Sequence, residues 1–151
     1  MDNTNVCILD YGSGNIKSVY NLFKFINASV KISNKPKDIQ TASHLVLPGV
    51  GAFGTAVEKI TNNLPLKVLT NEVIDRKKPL LGICVGMQVL ASIGHEFGDF
   101  LGLNWIPGEV TKLDTGNLPL PHVGWNNIQI KKSSLLTNHF DENCDFYFVH
   151  S

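Results

Sequence analysis

The segment with the clearest capacity for chemistry is Gly82-Ile83-Cys84-Val85-Gly86, which has the form G-x-C-x-G. It is the thiol form of the G-x-S-x-G nucleophile elbow, in which a sharp turn between a strand and a helix carries the nucleophile. Small flanking residues let other chain segments approach the turn, and the central residue takes up a strained conformation. We therefore predict that Cys84 is presented at the carboxyl end of a sheet, where open α/β folds place their sites.

Two interpretations of Cys84 follow from the motif. One is a small buried residue, because free cysteine is among the most buried residue types. The other is a nucleophile whose following helix favours the thiolate through its partial positive charge. In that case the first free N–H groups of the helix, beginning with that of Val85, would stabilise an oxyanion. Cys7, in a predicted strand, and Cys144, after an acidic loop, are predicted to be structural or incidental.

Strands that alternate with helices surround the elbow, which predicts an α/β domain with a mostly parallel central sheet flanked by helices. Leu80–Ile83 is an unbroken apolar run and is predicted to be a fully buried strand at the centre of that sheet. From Val85 the apolar spacing becomes helical, and Gly94 is the predicted end of this helix.

The first helix is predicted from about Asn15, with Ser13 as its N-cap. Two more helices are predicted around Phe53, Val57 and Ile60 and around Leu66, Leu69 and Val73. The other predicted strands are Val6–Leu9, Ser29–Ser33, Leu45–Leu47, Glu109–Leu113, Gly124–Ile130 and Phe146–Val149.

The composition is that of one globular domain over residues 1–151. Hydrophobic residues make up 43% and charged residues 17%, which are globular values. The 13 basic residues balance 13 acidic ones, so the chain lacks the excess of positive charge that is typical of nucleic-acid-binding proteins. The N-terminus has no signal-peptide pattern, and the longest run free of both charged residues and histidine, Pro79–Gly94, is too short to span a membrane. Three cysteines without ligand spacing are typical of a reducing cytoplasm, and we expect no metal and no cofactor.

Four segments carry a family resemblance: "ILDYGSGNI", "LVLPGVGAFG", "PLLGICVGMQ" and "LPHVGWNNI", in this order along the whole chain. Together they resemble the glutamine amidotransferase subunits of imidazole glycerol phosphate synthase, a class I, triad-type family with a flavodoxin-like fold. The resemblance implies a glutaminase of histidine biosynthesis. In such an enzyme a cysteine attacks the side-chain amide carbon of glutamine, ammonia leaves, and water hydrolyses the resulting thioester.

The resemblance also implies roles for individual residues. Cys84 matches the nucleophile, and the amides of Val50 and Val85 match the oxyanion donors. The substrate-binding positions that it implies are Gly49, Gly51, Gln88, Glu96, His150 and Ser151, with Glu96 binding the ammonium group of glutamine. The implied partner is a (β/α)8-barrel cyclase subunit, which receives the ammonia in a heterodimer. The residues expected to face it are Asn15, Pro121, His122 and Trp125.

The sequence departs from the family at the rest of the triad. The family supplies a histidine and a glutamate from a late H-P-E run, and the 151 residues contain no such run. We therefore expect a domain truncated at its C-terminal end, with one side of its sheet uncovered. A positioned base contributes about 10²–10⁴-fold to rate, so we also expect glutamine turnover near background for these residues alone.

Three alternative functions stay open. The first is a non-catalytic regulatory or scaffold subunit of a synthase, and the second is a paralogous glutaminase that feeds another amination. The third is a cysteine hydrolase with the same elbow, which the docking segment 121–127 argues against. A phosphate-binding loop at "GSGN" is disfavoured, because position 17 is Lys17 where G-x-G-x-x-G requires glycine.

Overall fold

The computed structural model describes residues 4–26, 28–138, 140 and 144–151. They form two compact units, the first ending at Thr111 and the second beginning at Lys112. Each unit has hydrogen-bonded strands of its own. The single domain expected from the composition therefore stays a prediction.

The first unit is built on a sheet of four strands, and the three pairings between them are parallel. The strands are β1 (Asn5–Leu9), β2 (Ser29–Ser33), β3 (His44–Leu47) and β4 (Leu80–Gly82). Their order in the sheet is β2-β1-β3-β4. The two inner strands are almost entirely buried, as expected where helices cover both faces of a parallel sheet. The predicted α/β fold with a mostly parallel sheet is confirmed.

Helices connect these strands and cover the sheet. They are α1 (Ile16–Phe25), α2 (Pro36–Thr41), α3 (Phe53–Asn63), α4 (Leu66–Thr70), with a π-helical turn at Asn71–Asp75, and α5 (Val85–Gln88). One face of the sheet packs Val6, Ile8 and Val46 against α1. The opposite face forms a larger core with α3, α4 and α5. Each fully buried apolar side chain stabilises the fold by about 1.5–3 kcal/mol.

Two expectations about the elements next to the elbow were wrong. β4 is the outermost strand of the four-stranded sheet rather than its centre, and Leu81 is 44% exposed. The helix after Cys84 ends at Gln88 instead of continuing to Gly94. The carbonyls of Val89, Leu90 and Ala91 accept hydrogen bonds from the amides of residues 103–106, so they are not available to extend the helix.

The expected N-cap of α1 was also wrong. Asn15 occupies that position, without a side-chain capping bond, and Ser13 precedes it by two residues. Gly14 between them has a left-handed backbone, with φ +95°, and lies directly against Pro48. The chain therefore turns at Gly14 before the helix begins, which separates Ser13 from the first free amides.

Short strands complete both units. In the first, β5 (Ile93–Gly94) pairs with β6 (Phe100–Leu101) and β7 (Glu109–Val110). The second unit is an antiparallel hairpin of β8 (His122–Asn127) and β9 (Asp145–His150). The late strands thus occur where the sequence predicts them, with different bounds. Within the described part of the chain, no helix has the length and apolar character needed to cross a membrane.

Candidate active site

Cys84 lies on a sharp turn between β4 and α5. Its backbone is left-handed, with φ +54° and ψ −126°, which for a residue other than glycine costs about 1–3 kcal/mol. The Ile83 N–H donates to the Leu47 carbonyl at 3.0 Å, and the Gly86 N–H donates to the Ile83 carbonyl at 3.0 Å. These bonds hold the turn against β3. The Cys84 residue is exposed, so the interpretation as a buried cysteine was wrong.

The glycines around the turn are required by close approach of the backbone. A Cβ atom on Gly82 would lie 2.6 Å from the Cα of Met87. A Cβ on Gly86 would collide with the carbonyl oxygen of Leu47, and one on Gly49 would collide with the amide nitrogen of Gly86. The segment that follows β3 and the turn that follows β4 are therefore in direct backbone contact.

We call residues 48–51 the oxyanion segment, because they contain the Val50 amide that the family resemblance implies as an oxyanion donor. The segment lies next to the elbow because β3 and β4 are adjacent and parallel. Leu47, the last residue of β3, is in register with Gly82, the last residue of β4. Among the described residues, neither the Val50 amide nor the Val85 amide donates a hydrogen bond within the protein. Val50 is 51% exposed. Two unpaired amides thus accompany an exposed thiol at the carboxyl edge of the sheet.

The helix that follows Cys84 contributes less to the site than the sequence suggests. Since α5 has only four residues, few peptide dipoles add along its axis, and a macrodipole argument needs longer helices. The electrostatic stabilisation available here comes from individual N–H groups next to the turn. Gln88 is the last residue of α5 and is half-buried, one turn beyond Cys84.

Tyr11 lies beneath this site, and its position could not be read from the sequence. The side chain is completely buried, and its hydroxyl donates to the Pro48 carbonyl at 2.8 Å. Burial is the main cause that raises the pKa of the Tyr11 phenol. The phenol is therefore protonated, and a donor, at neutral pH.

Glu96 reaches the start of α3, immediately after the oxyanion segment. Its Oε2 accepts a hydrogen bond from the Phe53 N–H at 2.9 Å. A carboxylate at a helix N-terminus is a favourable arrangement, because it satisfies a free amide at the positive end of the helix. The predicted contact of Glu96 with a substrate ammonium group stays a prediction.

A charged cluster lies beside Glu96. His95 contacts Asp99 through Nδ1 at 2.6 Å and Glu109 through Nε2 at 3.2 Å. The hydrogen bond with Asp99, followed by that with Glu109, raises the pKa of the imidazole. The cluster ties the β5–β6 turn to β7 when His95 is protonated.

The other predicted site residues are surface residues. In the first unit Asn15 is exposed at the start of α1. In the hairpin of the second unit, His122 Nδ1 lies 2.9 Å from His150 Nε2. Trp125 is 73% exposed and forms an edge contact with Tyr147, with 5.5 Å between ring centroids. Pro121 and Ser151 are exposed as well. Their contacts with substrate or partner stay predictions.

The H-P-E run that would complete a triad is absent from residues 1–151. One histidine, His139, has an acidic residue two positions later, Asp141, with Phe140 rather than proline between them. Both His139 and Asp141 lie outside the described residues. Within the described ranges, no group of three or more His, Cys, Asp or Glu side chains comes together as a metal site.

The chain belongs to the class-I glutamine amidotransferase family, whose sequence model matches residues 7–151. It is similar to several curated relatives over 97% of its length. Imidazole glycerol phosphate synthase subunit HisH 2 of Vibrio vulnificus is 43% identical, and the alignment covers 69% of that protein. Subunit HisH 1 of Campylobacter jejuni is 43% identical, with 73% covered. Subunit HisH of Methanothermobacter thermautotrophicus is 44% identical, with 71% covered.

Proposed function

We propose that this chain is the glutaminase subunit of an imidazole glycerol phosphate synthase and uses Cys84 as its nucleophile. The observation that carries the proposal is the exposed thiol at a strained turn, accompanied by the unpaired amides of Val50 and Val85. A buried structural cysteine requires neither a left-handed backbone nor free donors beside it. The names of its relatives place them in the same synthase.

In the proposed reaction the Cys84 thiolate attacks the side-chain amide carbon of glutamine. A carbon–sulfur bond forms, and the carbonyl oxygen becomes an oxyanion that accepts hydrogen bonds from the two free amides. The carbon–nitrogen bond then breaks, and ammonia leaves with a proton from a general acid. Water hydrolyses the thioester to glutamate and regenerates the thiol. The family resemblance assigns the acid and base role to an H-P-E run, which residues 1–151 do not contain.

Substrate binding is proposed to use the residues that the family resemblance implies. Glu96 binds the ammonium group of glutamine with the carboxylate oxygen that does not accept from Phe53. Gln88 and the backbones of Gly49 and Gly51 are proposed to contact the rest of the glutamine. His150 and Ser151 are proposed to contact the α-groups of glutamine through their backbone.

The ammonia is proposed to pass to a (β/α)8-barrel cyclase that makes imidazole glycerol phosphate in histidine biosynthesis, in the reducing cytoplasm. Trp125 is the proposed anchor for this partner, because an exposed tryptophan is the residue type most favoured at interface hot spots. Pro121 and His122 of the second unit, and separately Asn15 of the first unit, are also proposed to contact the cyclase.

A diazo-ketone analogue of glutamine tests the proposal. The thiolate displaces N₂ from the protonated diazo carbon, which leaves a stable thioether that peptide mass spectrometry can locate. With the cyclase present we expect slow, specific labelling of Cys84 that excess glutamine suppresses. Cys84→Ser should abolish it, and Cys144 in the same molecule serves as an internal control.

Three outcomes would contradict the proposal. No adduct at Cys84 with the cyclase bound would support the scaffold alternative, since a scaffold needs no glutamine pocket. Labelling of Cys144 at the same rate as Cys84, without protection by glutamine, would mean that the analogue reports only thiol exposure. A glutaminase that binds no cyclase, yet is labelled and protected in this way, would favour the paralogous amination.

A further inference from the structure

The backbone that carries the Val50 amide is held at its first end by a buried side chain. Tyr11 follows β1, its ring is completely buried, and its hydroxyl donates to the Pro48 carbonyl at 2.8 Å. Tyr11 is itself fixed, because its own carbonyl accepts a hydrogen bond from the Asn63 side-chain amide at 3.1 Å. The Pro48–Gly49 peptide group immediately precedes the one that contains the Val50 N–H.

The other end of the same segment is held by a side chain from a different part of the chain. The Phe53 N–H donates to Glu96 Oε2 at 2.9 Å, which fixes the peptide group between Ala52 and Phe53. Between these two held points lie the peptide groups of Gly49 to Ala52. Gly51 in this stretch has φ +90°, a conformation that glycine adopts without strain.

We infer that Tyr11 is a positioning residue for the oxyanion site, and that Glu96 holds the opposite end of the same backbone segment. The inference rests on the proposed function, because it assigns a purpose to the direction in which the Val50 amide points. A donor stabilises an oxyanion only when it is aimed at the place where charge develops. A displacement of about 1 Å can reduce rate by about 10²-fold, so hydrogen bonds that set the angle of this peptide group have kinetic consequences.

Tyr11→Phe removes the hydroxyl and keeps the buried ring. The assay is acylation of Cys84 by L-glutamate γ-methyl ester, with the cyclase present. In this step a carbon–sulfur bond forms, the carbon–oxygen bond breaks, and methanol leaves after taking up a proton. Rapid acid quenching and mass spectrometry measure the acyl-enzyme. We expect acylation at saturating ester to slow by about 10- to 100-fold.

A second measurement separates positioning of the amide from a general loss of structure. Iodoacetamide alkylates the same thiol by displacement of iodide, a reaction in which no oxyanion forms. We expect the alkylation rate of Cys84 in Tyr11→Phe to match the wild-type rate. Tyr20→Phe is the matched control, because Tyr20 is partly buried on α1 against the other face of the sheet, and it should change neither rate.

Variants of Glu96 test, independently of Tyr11, whether the Phe53 end of the backbone segment is held by the Glu96 side chain. Glu96→Gln retains an oxygen that can accept from the Phe53 N–H, whereas Glu96→Ala does not, and both lose the charge for the ammonium group. If Glu96 holds the segment, Glu96→Ala acylates more slowly than Glu96→Gln at saturating ester. Equal rates would overturn this part of the inference.

The failures of the inference and of the proposed function are distinguishable. If Tyr11→Phe is acylated at the wild-type rate, the inference alone is overturned. The same holds if the acylation rate and the alkylation rate of Tyr11→Phe fall by the same factor. No acylation of wild-type Cys84 above the level of Cys84→Ser overturns the proposed function, and the inference with it.

Discussion

The turn at Cys84 depends on the glycines around it, because neighbouring backbone atoms leave no room for larger residues there. The thiol is held out of the core by a left-handed backbone, and that backbone is stable because Gly82 and Gly86 leave room for other segments. Gly86 has the stricter requirement. The atom that it avoids is a backbone carbonyl of β3, which cannot move without shifting the sheet.

Gly86→Ala should therefore destabilise the fold and separate the elbow from residues 48–51. We expect a loss of about 3 kcal/mol or more in the free energy of unfolding, because the added methyl meets backbone rather than a flexible side chain. Urea denaturation measures this. Gly116→Ala is the control, since its Cβ meets nothing within 4 Å and only a left-handed penalty of about 1–2 kcal/mol applies. Equal losses in the two variants would contradict the steric argument.

At the scale of the elements, the site is made where strands end rather than within them. Neighbouring parallel strands β3 and β4 end in register, which brings residues 48–51 and Cys84 together. The short strands β5 to β7 then carry Glu96 to the start of α3. His95 lies next to Glu96, and its two acidic partners join β7 to the β5–β6 turn.

The His95 cluster should make the stability of the first unit depend on pH. The folded-state pKa of His95 is raised, mainly by the hydrogen bond with Asp99, above an unfolded value of about 6.5. Its stabilisation is therefore fully present below about pH 6.5 and is lost as pH rises through the folded pKa. Between about pH 6 and about pH 9, wild type should lose more stability than His95→Gln.

Thermal unfolding at the two pH values tests this comparison. His44→Gln is the matched control, because His44 is exposed and, within the described part of the chain, its ring forms a hydrogen bond with the neighbouring Ser43 hydroxyl rather than with an acidic side chain. It should retain the full wild-type difference. A His95→Gln variant with the same pH dependence as wild type would show that the cluster contributes nothing to folding.

At the scale of the whole molecule, the hairpin of the second unit presents an apolar face of Val123, Trp125, Tyr147 and Val149. Exposed aromatic side chains in such a face are typical of binding surfaces.

We expect Trp125→Ala to weaken binding of the proposed cyclase partner by about 2 kcal/mol, roughly 30-fold. Isothermal titration calorimetry measures it. Leu118→Ala, at another exposed apolar residue, should leave the affinity within about twofold, and unchanged affinity in Trp125→Ala would contradict the anchor role.

The sequence by itself determined what depends on neighbours along the chain. The position of the elbow, the glycines that flank it and the alternation of strands and helices follow from the motif and the apolar spacing. The atom that requires glycine at position 86, the Leu47 carbonyl oxygen, was decided by the tertiary structure. Only the tertiary structure decided that β4 is an outer strand and that α5 ends at Gln88. It also decided that Tyr11 and Glu96 hold residues 48–53. The physical reason is that these features depend on hydrogen bonds between residues far apart in sequence, which leave no periodic pattern in the chain.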